Sequence, residues 1–173
     1  MNLIITCARH LEPETKEEIS RFLSDFGDPE SQIIITSMSG ILTVKTKLEP
    51  VDTVRKMGKI IEDEPWSIRY CLRIIPIQKL SKTTIDEIEK VVDELINEIK
   101  KDETYRISIE KRNSSISSQE LITKIAQKIK NKVSLENPDK IIQIEILGGI
   151  TGVSIIKRDE ILSVEKIKRN LSE

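Results

Sequence analysis

Apolar residues recur along the first half of the chain at two different spacings, which predict strands alternating with helices. Short continuous apolar runs are typical of strands, whereas apolar positions three and four residues apart mark one face of a helix. Turn residues separate the segments: Gly27 ends the first helical pattern, and Ser39-Gly40 lies between two apolar runs. The pattern predicts strands at 3–6, 33–37, 41–46 and 68–77 and helices at 14–26 and 51–61.

The order of these elements indicates the fold of this part of the chain. Strand, helix, strand, strand, helix, strand is the order of a ferredoxin-like βαββαβ domain. In such a domain, helices cover one face of a four-stranded antiparallel sheet. We therefore predict an N-terminal ferredoxin-like domain over residues 1–78.

The second half of the chain has two long helical patterns and one strand that is apolar almost without interruption. A capping box at Ser117 marks the start of the second helix. Apolar runs of this kind suit a sheet with helices on either side. We predict an α+β or α/β domain with a mixed sheet over residues 79–173, packed on the first domain. The predicted elements are helices at 85–99 and 117–133 and strands at 105–110, 141–146 and 153–156.

The overall composition excludes several classes of protein. With 38% hydrophobic and 33% charged residues, the chain is expected to fold rather than to be disordered. No segment approaches the roughly 18 consecutive apolar residues of a membrane span, and the first residues lack the basic lead of a secretory signal. The two cysteines, Cys7 and Cys71, are too few for a disulfide framework or a four-cysteine zinc site. We therefore expect a cytoplasmic protein with two reduced, buried thiols.

Positive charge is concentrated in one segment, although the net charge of the chain is −1. Residues 1–78 carry 10 basic and 12 acidic side chains, whereas residues 106–132 carry seven basic and two acidic ones. Lys124, Lys128 and Lys132 are four residues apart and would form one stripe on a helix. This stripe predicts a surface that binds a polyanion, although an ordinary solvated helix face explains the charge pattern equally well.

The start of the same helix has features that favour binding of phosphate. The free N–H groups and the positive dipole end of a helix attract anions. The loop predicted at 111–113, which leads into the helix, is basic and exposed, and two further basic residues follow the last predicted strand. The predicted nucleic-acid contacts are Lys111, Arg112, Asn113, Ser117, Ser118, Lys124, Lys128, Lys132, Lys157 and Arg158.

Other candidate chemistry is weaker. His10 lies close to Cys7 and Glu12 in sequence, but a metal site needs a further ligand, so a surface or helix-cap histidine is predicted. Trp66 could stack on a base, but a packing role is favoured for one of only five aromatic residues. The sequence contains no P-loop, glycine-rich dinucleotide motif or nucleophile elbow. We therefore expect no metal, no cofactor and no catalytic residues.

Several segments, taken in order, resemble a THUMP domain. They are EKRN at 110–113 with the serine-capped helix after it, SLENPDK at 134–140, IEILGG at 144–149 and SVEK at 163–166. Upstream, DEPWSIRYCLRIIPIQKL at 63–80 resembles the segment that joins a ferredoxin-like domain to THUMP in small tRNA-acetylation adaptor proteins. Archaeal chains of this kind look most similar.

The resemblance implies a function as well as a fold. THUMP domains bind tRNA, largely through the acceptor stem and the 3′ CCA end, and deliver it to a modifying enzyme that is fused to them in most relatives. No such enzyme domain follows up to Glu173. The resemblance therefore implies a non-catalytic, stand-alone adaptor that presents tRNA to a cytidine acetyltransferase making 4-acetylcytidine. The residues themselves leave a second hypothesis open: a protein–protein interaction module of ferredoxin-like type that does not bind RNA directly.

Overall fold

The computed structural model describes residues 1–172, and the chain divides into two compact units. The first unit comprises Met1–Pro76 together with the segment from Asp159 onwards, and the second comprises Ile77–Arg158. Each unit has its own sheet and its own apolar core. Both units combine helices with strands, which confirms the predicted fold class.

The first 76 residues fold in the predicted order of strand, helix, strand, strand, helix, strand. These elements are β1 (Leu3–Cys7), α1 (Glu12–Asp25), β2 (Gln32–Ile35), β3 (Ile41–Lys45), α2 (Pro50–Asp63) and β4 (Cys71–Pro76). The four strands form an antiparallel sheet in the order β2-β3-β1-β4. This is the ferredoxin-like arrangement, so that part of the prediction is confirmed.

The core of the first unit is built from alternate strand residues and from one face of each helix. Leu3 and Ile5 of β1 are completely buried, and they belong to one apolar cluster with Ile19 and Leu23 of α1 and Met57 of α2. The two-residue period of the strand and the 3.6-residue period of the helices bring these side chains to a common face. Burial of this face is what stabilises the sheet against its two helices.

A buried carboxylate on α1 fixes the segment that leads into β4. Glu18 is only 4% exposed. Its oxygens accept hydrogen bonds from the backbone N–H groups of Arg69, Tyr70 and Cys71 at 2.6 to 3.2 Å. Three backbone donors are thereby satisfied by one side chain. Nothing in the local sequence indicates this contact, because Glu18 and Arg69 are 51 residues apart.

The segment after the second unit returns to the first one. It forms β9 (Leu162–Ser163) and α5 (Val164–Leu171). Strand β9 pairs with β4, and Leu162 and Val164 are buried in the core of the first unit. The observed division therefore differs from the predicted one, which placed residues 79–173 together. A two-residue strand has no recognisable periodicity of its own, and it forms here only because the edge of β4 offers it partners.

The second unit contains four strands and two helices. They are β5 (Lys79–Lys82), α3 (Ile85–Leu95), β6 (Tyr105–Arg112), α4 (Ser118–Gln127), β7 (Lys140–Leu147) and β8 (Ile150–Ile156). The sheet has the order β5-β8-β7-β6, with β6 and β7 parallel and the other neighbours antiparallel, as expected of a mixed sheet. The sequence did not predict β5, because Leu80 is the only apolar residue in it and the strand depends on pairing with β8.

Both helices of the second unit pack on the same face of its sheet. Ile142, Ile144 and Ile146 of β7 form one core with side chains of α3 and α4. Strand β7 is buried along its whole length, but its other face carries Gln143 and Glu145. The prediction of helices on either side is therefore wrong for this unit, because polar residues within the run IIQIEIL alternate with the apolar ones and occupy the second face.

Both cysteines are free and buried, as predicted. Cys7 is 8% exposed and Cys71 is 1% exposed. Burial raises the pKa of both thiols, because the apolar surroundings disfavour the thiolate. Within residues 1–172, no helix combines the length and the apolar character needed to cross a membrane.

Replacing Glu18 by alanine is expected to destabilise the first unit by about 3 kcal/mol, because three backbone donors, of which that of Cys71 is buried, lose one charged acceptor. The urea concentration at the midpoint of unfolding measures the loss, and hydrogen exchange at residues 69–71 locates it. Glu17→Ala is the matched control, since Glu17 is exposed on the same helix; it should change stability by no more than about 0.5 kcal/mol. Equal stability of the two variants would contradict the role assigned to Glu18.

Candidate nucleic-acid interface

The carboxyl ends of β6 and β7 meet at one edge of the second sheet, which we call the β6–β7 edge. Arg112 lies opposite Leu147, Leu147 opposite Ile150, and Ile150 opposite Lys82. Neighbouring strands are about 4.8 Å apart, so the Cα atoms of Lys82 and Arg112 are separated by roughly 15 Å. This row of four residues sets the width of the edge.

A glycine turn between β7 and β8 ties the edge together. Gly148 has a φ of +61°, in the left-handed region that favours glycine. Its N–H group donates to the carbonyl oxygen of Arg112 at 2.9 Å, and the N–H group of Thr83 donates to the carbonyl oxygen of Gly149 at 3.1 Å. The turn joins the antiparallel strands β7 and β8. It fixes the ends of β5 and β6 in relation to each other.

Both helices of the unit begin at this edge. Thr84 accepts a hydrogen bond from the backbone N–H of Glu87 at 3.2 Å and caps α3. Ser117 accepts one from the N–H of Glu120 at 3.2 Å and caps α4, which confirms the predicted cap. Ser118 is the first residue of α4. The free N–H groups and the positive dipole end of α4 therefore lie beside the end of β6.

Arg112 is the last residue of β6, and its side chain already has a partner. Its Nη1 lies 3.0 Å from Oε2 of Glu145, whose side chain is 0% exposed. The other oxygen of Glu145 accepts a hydrogen bond from Nε2 of Gln143 at 2.9 Å. The side chain of Arg112 is 23% exposed. The prediction that Arg112 lies in an exposed loop is therefore wrong, because the buried carboxylate draws its guanidinium onto the sheet.

Lys111 and Asn113 lie at the surface on either side of Arg112. Lys111 also belongs to β6 rather than to a loop, and its exposed side chain donates through Nζ to the carbonyl oxygen of Ile116 at 2.9 Å. Asn113 follows the strand with a φ of +54°, a conformation that asparagine adopts more readily than most residues. These two residues and the start of α4 form the exposed part of the predicted phosphate site.

The predicted lysine stripe does not lie on one helix. Helix α4 ends at Gln127, so Lys128 is its C-cap residue and Lys132 lies beyond it. The side-chain amide of Asn131 donates to three carbonyl oxygens of the loop before β6 at 2.8 to 3.3 Å. The N–H group of Tyr105 donates to the carbonyl oxygen of Lys132 at 3.1 Å. The prediction is wrong because these bonds hold the chain beside the start of β6 instead of in a helix.

Lys128 is also held by acidic side chains of α3. Its ammonium group contacts the carboxylate of Glu89 and lies 3.1 Å from Oδ2 of Asp93. The hydrogen bond from Lys128 lowers the pKa of Glu89, and the bonds to Glu89 and Asp93 raise the pKa of Lys128. Lys124 is exposed one turn earlier on α4. Of these two helix lysines, Lys124 is the one that remains available to a ligand.

Lys157 and Arg158 lie at the opposite end of the sheet from the β6–β7 edge. They follow β8, whose last residue Ile156 pairs with Ile141 near the start of β7. Nη1 of Arg158 donates to Oδ1 of Asn137 at 2.9 Å. Seven residue steps along β7 span about 23 Å. The ten predicted contacts therefore do not form one surface: the members that share the β6–β7 edge are Lys111, Arg112, Asn113, Ser117 and Ser118.

The first unit contains the three residues considered for base stacking or metal binding, namely Trp66, His10 and Glu12. Trp66 is 71% exposed, so the packing role predicted for it is wrong. His10 is exposed with a φ of +74°, as predicted for a surface histidine. Glu12, its neighbour in sequence, accepts a hydrogen bond from the N–H of Gly40 at 2.9 Å. Among residues 1–172, no three His, Cys, Asp or Glu side chains are arranged to hold a metal ion.

The groups displayed at the β6–β7 edge are ammonium, amide, hydroxyl and backbone N–H groups, all of which bond phosphate oxygens. The predicted contacts did not include Lys82 or the start of α3, although both extend this edge. The spacing of Thr84 and Glu87 matches a capping box, as at Ser117, and it could have marked the start of this helix as a second candidate for phosphate binding.

Replacing Arg112 by alanine is expected to destabilise the second unit by about 3 kcal/mol, because it removes a charged partner of a fully buried carboxylate. The urea midpoint measures the loss, and hydrogen exchange in β6 and β7 should rise. The double variant Arg112→Ala/Glu145→Gln should regain part of the stability, since no buried charge is left. Lys111→Ala is the control and should change stability by no more than about 0.5 kcal/mol. A loss in the double variant as large as in the single one would show that the ion pair is not the cause.

A segment of the second unit matches a known protein family. Residues 82–156 match the family model of the THUMP domain. Over 118 residues, or 65% of this chain, the sequence is 30% identical to the uncharacterized protein MJ0421 of Methanocaldococcus jannaschii. The aligned part covers 33% of that protein, so the chain spans about a third of the length of this relative.

Solved structures share the fold at low sequence identity. The protein PH1313 from Pyrococcus horikoshii matches with a TM-score of 0.64 and 17% identity, over 91% of this chain and 55% of that one. TrmN from Thermus thermophilus matches with a TM-score of 0.61 and 10% identity, over 90% and 45%. A 4-thiouridine synthetase, solved as a complex with RNA and ATP, matches with a TM-score of 0.53 and 15% identity, over 91% and 42%. These likenesses establish the α+β fold alone.

Proposed function

We propose that this chain, which contains a THUMP domain at residues 82–156, binds tRNA and presents it to a separate tRNA-modifying enzyme. A THUMP domain implies RNA binding, and a 4-thiouridine synthetase with a similar fold forms a complex with RNA. The observation that carries the proposal is the β6–β7 edge, where Lys111, Asn113 and the start of α4 are exposed together.

At this edge the phosphates of RNA would meet donors that the fold holds in place. Lys111 supplies a point charge, Asn113 an amide, and the first turn of α4 backbone N–H groups. The pairing of Arg112 with Glu145 holds the end of β6, from which the loop to α4 starts. Because the net charge of the chain is −1, affinity depends on these local contacts rather than on a general positive field.

We also propose that the chain is not itself an enzyme and that its partner is a cytidine acetyltransferase. Burial keeps the thiols of Cys7 and Cys71 protonated, since it raises the pKa of both. The only histidine, His10, belongs to the first unit and not to the THUMP domain. The acetyltransferase partner and the preference for the acceptor stem and 3′ CCA end rest on the sequence resemblance.

The RNA-binding proposal predicts that Lys111→Ala/Lys124→Ala binds total tRNA more weakly than the unmodified chain. Each lost phosphate contact releases one counterion fewer, so the slope of log affinity against log salt should flatten by about 0.7 to 0.9 per contact. Gel shifts over a range of salt concentrations measure both quantities. A tRNA without its terminal CCA should also bind less tightly.

The matched control is Lys45→Ala/Lys59→Ala, which removes the same charge from exposed positions of the first unit. Its affinity and salt slope should stay close to those of the unmodified chain. If the two double variants bind tRNA equally well while both remain folded, the RNA site lies elsewhere.

The adaptor proposal predicts that the purified chain forms no acetylcytidine when it is mixed with tRNA and acetyl-coenzyme A. When a cytidine acetyltransferase is added, the yield of acetylcytidine, measured by mass spectrometry of tRNA nucleosides, should be higher with the chain than without it. The Lys111→Ala/Lys124→Ala variant should lose this stimulation. Acetylcytidine formed by the chain alone would overturn the assignment as a non-catalytic adaptor.

A further inference from the structure

A groove on the first unit is lined in part by the only tryptophan of the chain. It lies between α1 and the end of α2 and has a volume of about 430 Å³. Trp66 lies in a short 3-10 turn, Pro65–Ser67, and is 71% exposed. The hydrogen bonds from residues 69–71 to Glu18 anchor the chain just after this turn. The indole is therefore presented to solvent by a fixed backbone, and exposed aromatic side chains of this kind are enriched where proteins bind one another.

The charged side chains that line the groove are mainly acidic. Asp25, Asp63 and Glu64 are exposed there, and Arg21 is the one basic residue among those that line it within residues 1–172. An adjoining depression along α1, lined again by Trp66 and Arg21, adds two exposed glutamates and one arginine. The negative charge of this surface favours a cationic ligand.

A hydroxyl group in the same groove lacks a partner. Ser67, which also lines the groove, carries the one buried side-chain oxygen or nitrogen within residues 1–172 that makes no hydrogen bond. A buried hydroxyl without a partner costs free energy, so groups of this kind are rare in folded proteins. Because this oxygen is buried, the Ser67 side chain would have to rotate toward the groove before the backbone of a bound polypeptide could bond it.

We propose that this groove docks a segment of a partner protein that carries arginine or lysine together with apolar side chains. The cationic side chain would lie over the indole of Trp66, with Asp63 and Glu64 neutralising its charge. One aromatic residue of the groove already has this type of contact, since Nζ of Lys56, which does not itself line the groove, lies 5.8 Å from the centre of the Phe26 ring. The apolar part of the segment would contact Phe22 and Phe26, which line the groove.

The same surface disfavours RNA. A strand that stacked a base on Trp66 would bring one phosphate per nucleotide toward three carboxylates, and like charges repel. The groove shares no residue with the β6–β7 edge, so the inference extends the proposed function to a second, protein-binding site and stands independently of RNA binding.

Fluorescence of Trp66 tests the inference directly, because no other tryptophan contributes to the emission. The probe is an acetylated, amidated hexapeptide of alternating arginine and leucine, titrated into the full chain. A saturable blue shift is expected, since the indole loses contact with water. The same peptide with glutamate in place of arginine should give no saturable shift. Absence of a shift with the arginine peptide would overturn the proposal, and a saturable shift with hexauridylate alone would replace it by RNA stacking.

Variants then distinguish binding in the groove from nonspecific attraction of the cationic peptide to negative charge elsewhere on the chain. The affinity for a fluorescently labelled arginine–leucine peptide, measured by anisotropy, should fall at least tenfold in Asp63→Asn/Glu64→Gln and in Trp66→Ala. Trp66→Phe should retain part of it, because an aromatic face remains. The matched control, Asp102→Asn/Glu136→Gln, removes the same charge from exposed positions of the second unit and should bind within about twofold of the unmodified chain. Equal affinity of the two charge variants would overturn the proposal.

Measurements with tRNA on the same proteins keep the two proposals apart. Trp66→Ala should bind tRNA as the unmodified chain does, and a loss of tRNA affinity in this variant would contradict a protein-binding groove. If the unmodified chain binds no tRNA, the RNA proposal fails, and the peptide titration still decides whether the groove binds a cationic segment.

Discussion

A fully buried carboxylate controls the part of the second unit where the RNA site is proposed. Glu145 lies on the polar face of β7, and a charge removed from water in this way must be paired and hydrogen-bonded. Arg112 and Gln143 supply those bonds from β6 and from β7 itself. Arg112 is the last residue of β6, and its carbonyl oxygen accepts a hydrogen bond from the N–H of Gly148. The ion pair of Arg112 with Glu145 therefore fixes where the parallel strands β6 and β7 end. The position of each exposed group at the β6–β7 edge thus depends on the ion pair between Arg112 and Glu145, although the Glu145 carboxylate is too deeply buried to contact a ligand.

The spacing of apolar residues predicted the elements that bury one regular face against a core. Helices α1 and α2 and the long strand β7 were found because their apolar spacing is regular over several residues. Strands β5 and β9 were missed because short, polar strands form only when a neighbouring edge accepts them. The site was predicted in part: the helix cap at Ser117 is local and was correct, whereas the pairing of Arg112 with Glu145 joins residues 33 apart and leaves no local signal. Helix α4 ends early because the side chain of Asn131 bonds the loop before β6. Helix propensity describes single residues and does not predict such a long-range contact.

The two proposed binding surfaces differ in charge as well as in position along the chain. Residues 106–132 carry an excess of basic side chains, and residues 1–78 carry an excess of acidic ones. A net charge near zero therefore hides a separation of charge between segments. The two proposals assign a polyanion to one unit and a cationic polypeptide to the other, and this separation of charge favours that assignment because each surface would repel the ligand of its counterpart.

The return of β9 and α5 to the first sheet affects the order in which the chain can fold. The first unit acquires its last strand and the buried side chains of Leu162 and Val164 only after all of Ile77–Arg158 has been synthesised. During translation, at roughly 5 to 20 residues per second, the second unit can therefore complete its core while the edge of β4 is still unpaired. After the second unit is complete, the nascent chain thus keeps an open sheet edge in its first unit for roughly one to three seconds, and this is the stage at which it is most exposed to mispairing with another copy.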